Sequence, residues 1–121
     1  MADNSLKNLV TEFNELVADF QYEKAHDKYY HPDLVKHENE DAPTIGLENH
    51  RKEMRAFLSK ISNNTAKIIN VLISDGISVT EWHYQFDHAD WGKRNFKEVS
   101  IQRWKNGKII HERHLYKTEK W

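Results

Sequence analysis

The stretch Phe96–Tyr116, FKEVSIQRWKNGKIIHERHLY, constrains the fold more than any other part of the chain. Asn106-Gly107 stands between two runs of alternating residues, and both residues accept positive φ at little cost, so the segment predicts an antiparallel hairpin. Before the turn, Phe96, Val99, Ile101 and Trp104 interleave with Lys97, Glu98, Ser100, Gln102 and Arg103. After it, Ile109, Ile110, Leu115 and Tyr116 interleave with His111, Glu112, Arg113 and His114. Neither strand is apolar along one whole face. Unpaired polar groups in a dry core cost about 1–3 kcal/mol each, so this pattern predicts an inner face that borders a wet or ligand-filled cavity.

The length of the turn decides which residues share that face. A two-residue turn pairs Trp104 with Ile109 and sets Ser100 beside Arg113. A three-residue loop, with Gly107 in a bulge, pairs Trp104 with Lys108 and gathers Phe96, Glu98, Ser100, Gln102 and Trp104 on one face. Ile110, Glu112, His114 and Tyr116 then share that face from the second strand. One residue of slip exchanges the whole inner set of one strand, and the alternation leaves both registers open.

The rest of the chain supplies helices first and strands afterwards. Leu6, Leu9, Val10, Phe13, Leu16, Val17 and Phe20 recur at three- and four-residue spacing, the stripe of an amphipathic helix. A short helix is predicted from about Tyr22 to Tyr30, stopped by His31-Pro32, and then a short strand over Asp33–Asn39. Gly46 precedes a third helix with an inner stripe of Leu47, His50, Met54, Phe57, Leu58 and Ile61. From Ser62 onward the period becomes two, with strands at Lys67–Ser74 and Ser78–His88 around Asp75-Gly76. The second of these carries Trp82, Tyr84 and Phe86 on one face. That order predicts an α+β fold, helices covering one face of a strongly bent antiparallel sheet.

At 121 residues the chain is expected to form one domain over 1–121. Eighteen basic against nineteen acidic residues leave no electrostatic footprint for nucleic acid or an anionic membrane. The absence of cysteine excludes disulfides, thiol catalysis and thiolate metal sites. No signal peptide or membrane-length apolar run appears, so a soluble, cytoplasmic protein without membrane association is expected.

Three patterns, taken in their order, resemble the nuclear transport factor 2-like superfamily, and within it the SnoaL-like polyketide cyclase and ketosteroid isomerase groups. They are Tyr30-His31-Pro32-Asp33-Leu34-Val35-Lys36-His37 leading into a helix begun at Gly46, then Gln102-Arg103-Trp104, then Asn106-Gly107-Lys108-Ile109-Ile110 followed by a polar strand. The resemblance implies a cone, a curved antiparallel sheet wrapped around three N-terminal helices, with a pocket at its open end. Its members include isomerases, cyclases, epoxide hydrolases and dehydratases as well as domains without catalysis, so fold alone does not give function. The isomerase base follows a D-x-x-x-x-[DE] spacing, which here runs from Asp33 to Glu38. The family's oxyanion tyrosine on the first helix corresponds to Phe13, which lacks a hydroxyl, and its protonated aspartate corresponds to Ser100. Steroid isomerisation is therefore disfavoured. The resemblance also favours the three-residue loop, because that register turns Ser100 and Glu112 to the same face.

In that register Glu98 lies opposite His114 and Ser100 opposite Glu112. A carboxylate beside an imidazole orients the ring and raises its basicity, so His114 with Glu98 is a candidate general base. The bland alternative is a structural cross-strand ion pair. His37 and Glu38 adjoin on a strand, so alternation sends one inward; both are candidate catalytic groups, with His37 slightly preferred. Trp82, Tyr84, Phe86, Phe57 and Met54 are expected to wall the ligand pocket. Phe13, Ser100, Gln102, Trp104, Glu112 and Tyr116 complete the expected ligand contacts. His111 and His114 face opposite ways on a strand, so no metal clamp is predicted, and no cofactor is called for.

The resulting expectation is a domain that binds a small, largely apolar molecule and, if an enzyme, runs cofactor-free isomerisation, cyclisation, hydration, elimination or hydrolysis by acid–base chemistry. A non-catalytic ligand-binding or protein-interaction domain is the rival. Val99, Ile101, Ile109 and Leu115 on the outer sheet face predict a homodimer in either case.

Overall fold

The computed structural model describes residues 2–118. Helix α1 spans Ala2–Ala18 and buries Val10 and Phe13, the centre of the predicted stripe. Helix α2, Tyr22–Tyr29, gives way at Tyr30 to extended backbone, and strand β1 covers Tyr30–Glu38. The strand thus starts before the His31-Pro32 pair that marks the helix stop. A two-residue strand β2, Thr44–Ile45, precedes helix α3, Leu47–Leu58. Four long strands follow: β3 over Ile61–Ser74, β4 over Ile77–His88, β5 over Gly92–Lys105 and β6 over Lys108–Tyr116. Ile61 opens β3 and does not continue the stripe of α3.

The sheet is curved and unclosed, in the order β2-β1-β6-β5-β4-β3, with helices packed on one face. All neighbours are antiparallel except β1 and β6, which run parallel with Lys36 beside Glu112 and Glu38 beside His114. Local periodicity does not report that pairing, which joins segments more than seventy residues apart. Among the described residues, no helix is long and apolar enough to cross a membrane.

The hairpin corrects one expectation and keeps its consequence. Trp104 pairs with Ile109 and Lys105 with Lys108, so the loop holds two residues, with Asn106 at φ 51° and Gly107 at 78°. Positive φ at both central residues is the turn whose twist suits a hairpin. Asp75 and Gly76, at 51° and 76°, build the same turn between β3 and β4. A bulge follows immediately, because Arg103 pairs with His111 and leaves Ile110 extra on β6. The bulge restores the parity that a three-residue loop would have set, displaced by one pair of residues. Ser100 therefore faces His114, Gln102 faces Glu112, and Glu98 faces Tyr116. The expected pairs Glu98–His114 and Ser100–Glu112 do not form directly across the strands, yet all these side chains share one face. The same shift turns Ile109 into the core, where it is 0% exposed, and removes it from the outer set.

Two apolar clusters flank the site. One joins α1, α2, β1 and the hairpin through Phe13, Tyr29, Leu34, Trp104 and Ile109, with the Phe13 and Trp104 rings edge to face at 5.7 Å. The other is the β4 row Trp82, Tyr84 and Phe86, packed against Val17, Phe57 and Phe96.

Candidate functional site

A cavity of about 510 Å³ opens over the helix-covered face of the sheet. Alternation along β4 turns Trp82, Tyr84 and Phe86 into it as one wall. Trp82 stacks on Tyr84 at 5.5 Å, Tyr84 on Phe96 at 5.8 Å, and Phe57 from α3 meets Phe86 edge-on at 5.2 Å. Met54, on the same helix, also borders the cavity.

The floor is polar, and its centre is His114. The ring Nε2 lies 3.3 Å from Oε1 of Glu112, and Nδ1 lies 3.3 Å from Oε2 of Glu98 and 2.8 Å from Oγ of Ser100. Ser100 Oγ in turn donates to Glu98 Oε2 at 3.0 Å. Burial disfavours the charged ring, but the two carboxylates outweigh it and hold His114 well above the ordinary histidine range. Both nitrogens then stand as donors, the arrangement that suits a protonated ring.

Glu112 is fully committed. Tyr30 donates its hydroxyl to both carboxylate oxygens at 2.8 Å, and Gln102 Nε2 donates to Oε2 at 2.8 Å. Burial would raise its carboxyl, yet His114 and the Gln102 donor hold it well below the usual carboxylate range. Gln102 is itself fixed, since Trp104 Nε1 donates to Ser78 Oγ at 2.9 Å and Ser78 Oγ donates to Gln102 Oε1 at 2.8 Å. Glu98 differs. Its Oε2 takes Ser100 and His114, while Oε1 accepts no hydrogen bond among the described residues.

A second charged group sits on β1. Lys36, only 4% exposed, places Nζ 3.3 Å from Glu38 Oε2 and 3.2 Å from Glu53 Oε1. Burial works against its charge, but the flanking Glu38 and Glu53 carboxylates push its pKa above the ordinary lysine value. Burial likewise opposes charge on Glu38, and Lys36, His114 and the Tyr116 hydroxyl at 2.9 Å bring its carboxyl below the usual range. Above the floor His26 and His50 meet at 4.7 Å, and His50 stacks on Tyr30 at 5.2 Å. Burial, aided at His26 by Arg51, lowers their pKa to about 4 and about 3, so both are neutral.

Of the residues expected from sequence, the structure brings Glu38, Glu98, Ser100, Gln102, Glu112, His114 and Tyr116 to one cavity floor. Two lie elsewhere. His37 points to the opposite sheet face, where its ring meets His111 at 5.1 Å, because parallel pairing with β6 turns Lys36 and Glu38 inward. Trp104 belongs to the core beneath the cavity and does not line it. Phe13 does both. Sequence reasoning missed Lys36, Tyr30 and His26, and also His50, Glu53, Lys60, Asp90 and Phe96. Lys36 precedes Glu38 by two residues, so the period of the strand was a usable signal for it; Tyr30, read as a helix end, carried none.

Three helices on one face of an open six-stranded curved sheet define the class of nuclear transport factor 2-like and cystatin-fold proteins. A family model for SnoaL-like polyketide cyclases matches residues 8–118, and the chain belongs to that family. It is similar to a proposed SnoaL-like polyketide cyclase from Mesorhizobium loti, at 18% identity over 90% of this chain and 97% of that one, with a TM-score of 0.78. An LEH-like epoxide hydrolase from Mycobacterium tuberculosis superposes with a TM-score of 0.74 at 14% identity, covering 91% of this chain and 80% of the other. A nuclear transport factor 2-like protein of unknown function from Cytophaga hutchinsonii reaches 0.68 at 10% identity, covering 92% and 88%. At such identities the likeness speaks for the fold alone. No curated protein matches the chain.

Proposed function

We propose that residues 1–121 form one SnoaL-like domain that binds a small, largely apolar molecule and runs cofactor-free acid–base chemistry on it. The reaction is an isomerisation, cyclisation, hydration, elimination or hydrolysis; neighbours described as a proposed polyketide cyclase and an epoxide hydrolase support cyclisation and hydrolysis within that range. The observation that carries the reading is the environment of Glu98. One carboxylate oxygen is anchored by Ser100 and His114, and the other is left for a substrate proton beside an aromatic wall. In this reading Glu98 is the proton acceptor. His114 is not the base, because a ring held between two carboxylates already carries its second proton; it is the fixed cation that orients Glu98. Glu112 and Gln102 position the ring, and Glu38 with Tyr116 forms a second acid–base pair at the cavity edge.

The test is solvent exchange. Incubated in D₂O with a panel of small apolar ketones and aminoketones, the wild type should place deuterium beside the carbonyl of at least one, and Glu98→Gln should not. No exchange with any compound, or equal exchange by both proteins, contradicts Glu98 as the acceptor of a carbon-bound proton.

One observation favours a non-catalytic ligand-binding domain instead: every polar atom of Glu112 and both ring nitrogens of His114 are satisfied within the protein. A structural ion network would look the same. On either reading, the proposed assembly is a homodimer through the outer sheet face, now limited to Val99, Ile101 and Leu115, the last 38% exposed.

A further inference from the structure

The charges that face the cavity do not balance. Five carboxylates border it, Glu38, Glu53, Asp90, Glu98 and Glu112, against three cations, Lys36, Lys60 and His114. Lys60 and Asp90 pair with each other and cancel. The remaining cations are each shared by two carboxylates: Lys36 by Glu38 and Glu53, His114 by Glu98 and Glu112. His26 and His50 are held neutral by burial. His88 accepts the backbone N–H groups of Asp90 and Trp91 on Nδ1, at 3.1 and 3.3 Å, as a neutral ring does. One negative charge is left over in each group: that of Glu38 and Glu53 is about half exposed to solvent, whereas that of Glu98 and Glu112 is buried among mostly apolar walls, where an uncompensated charge is costly.

The buried surplus has a definite place. Glu98 is directly opposite Trp82 on β4 and directly opposite Tyr116 on β6, all on the inner face. Phe96, two residues along the same strand, packs on Tyr84 at 5.8 Å and on Tyr116 at 5.6 Å. A carboxylate with one oxygen open, set among the rings of Trp82, Phe96 and Tyr116, offers negative charge and the negative faces of π-systems together. We infer that the molecule this cavity takes is a small apolar amine in its ammonium form, with its nitrogen on the open oxygen of Glu98 and its apolar body along the Trp82–Tyr84 wall. An organic acid meets the surplus negative charge, and a neutral molecule leaves it uncompensated. The inference rests on the reading of the cavity as a ligand site, and supplies the ligand class that reading leaves open.

The test compares three molecules of one shape, 2-naphthylmethylamine, 2-naphthylmethanol and 2-naphthoic acid, by calorimetric titration of the wild type and of Glu98→Gln. The amine should bind the wild type at least about ten-fold more tightly than the alcohol, the acid should bind weakest, and Glu98→Gln should remove the preference for the amine over the alcohol. Glutamine keeps an oxygen for Ser100, and the wild-type comparison holds without any variant. Equal affinity for amine and alcohol, or a preference that survives in Glu98→Gln, overturns the cation and leaves the ligand-site reading intact. Failure of all three to bind the wild type overturns both.

Discussion

His114 and Glu112 lie two residues apart on β6, and the ring Nε2 stands 3.3 Å from the Glu112 carboxylate. The other nitrogen meets Glu98 at the same separation, so one ring serves two acids. Removing it leaves two carboxylates facing each other without a counter-charge, one of them almost fully buried. His114→Ala should therefore lose about 3–5 kcal/mol in urea denaturation near neutral pH. Glu98→Gln, which retains an acceptor for Ser100, should lose far less. Similar small losses in both variants would mean that the triad carries no structural charge coupling.

The pH dependence of stability has two limbs of opposite origin. His26 and His50 bind their protons only at about 4 and about 3 in the fold, against about 6.5 in an unfolded chain, so protons favour unfolding as pH falls from about 6.5 through that window. His114 behaves oppositely: its raised pKa gives stability that is complete below about 6.5 and lost as pH rises toward its folded value. His50→Phe, which keeps a ring against Tyr30, should flatten the acid limb of a plot of melting temperature against pH and leave the alkaline limb in place. An unchanged acid limb would show that the buried histidines do not stay neutral.

Gly107 occupies the hairpin turn at φ 78°, with no side chain closer than Leu9 at 3.9 Å from a Cβ built there. Space is not the obstacle to a larger residue; the backbone conformation is. Gly107→Val should cost more than about 1 kcal/mol by chemical denaturation, because a β-branched residue is poorly suited to that region. A neutral substitution would be inconsistent with the turn.

How far this site is legible in sequence depends on which interactions are local. The Asn106-Gly107 and Asp75-Gly76 turns, the stripe of α1 and the inner row Trp82, Tyr84, Phe86 follow from spacing a few residues long, and the structure has them, except that α1 ends at Ala18 and leaves Phe20 outside the helix at φ 58°. The bulge at Ile110 has no such mark: its neighbour Ile109 is chemically identical, and only pairing with β5 tells which is inside. The orientation of β1 is set by parallel contact with β6, which is why Glu38 and not His37 reaches the cavity. The strand period puts Lys36 on the same face as Glu38, but part of its counter-charge comes from Glu53 on a different element, which no local spacing reports.

The outer sheet face gives the proposed dimer a simple check. Ile101, half-buried between Val79 on β4 and Arg113 on β6, is central to that face. Ile101→Glu should convert a dimer into a monomer in sedimentation velocity at micromolar concentration while keeping its circular dichroism. A wild type already monomeric under those conditions removes the assembly.

The protonation state of His114 tests the account most directly, because both the assignment of Glu98 as acceptor and the charge count of the cavity follow from it. Long-range ¹H–¹⁵N spectra of the selectively labelled protein at about pH 8, well above the ordinary histidine value of about 6.5, should show both ring nitrogens of His114 protonated. A neutral His114 ring at that pH, with one nitrogen unprotonated, would contradict the account and return the role of base to the histidine.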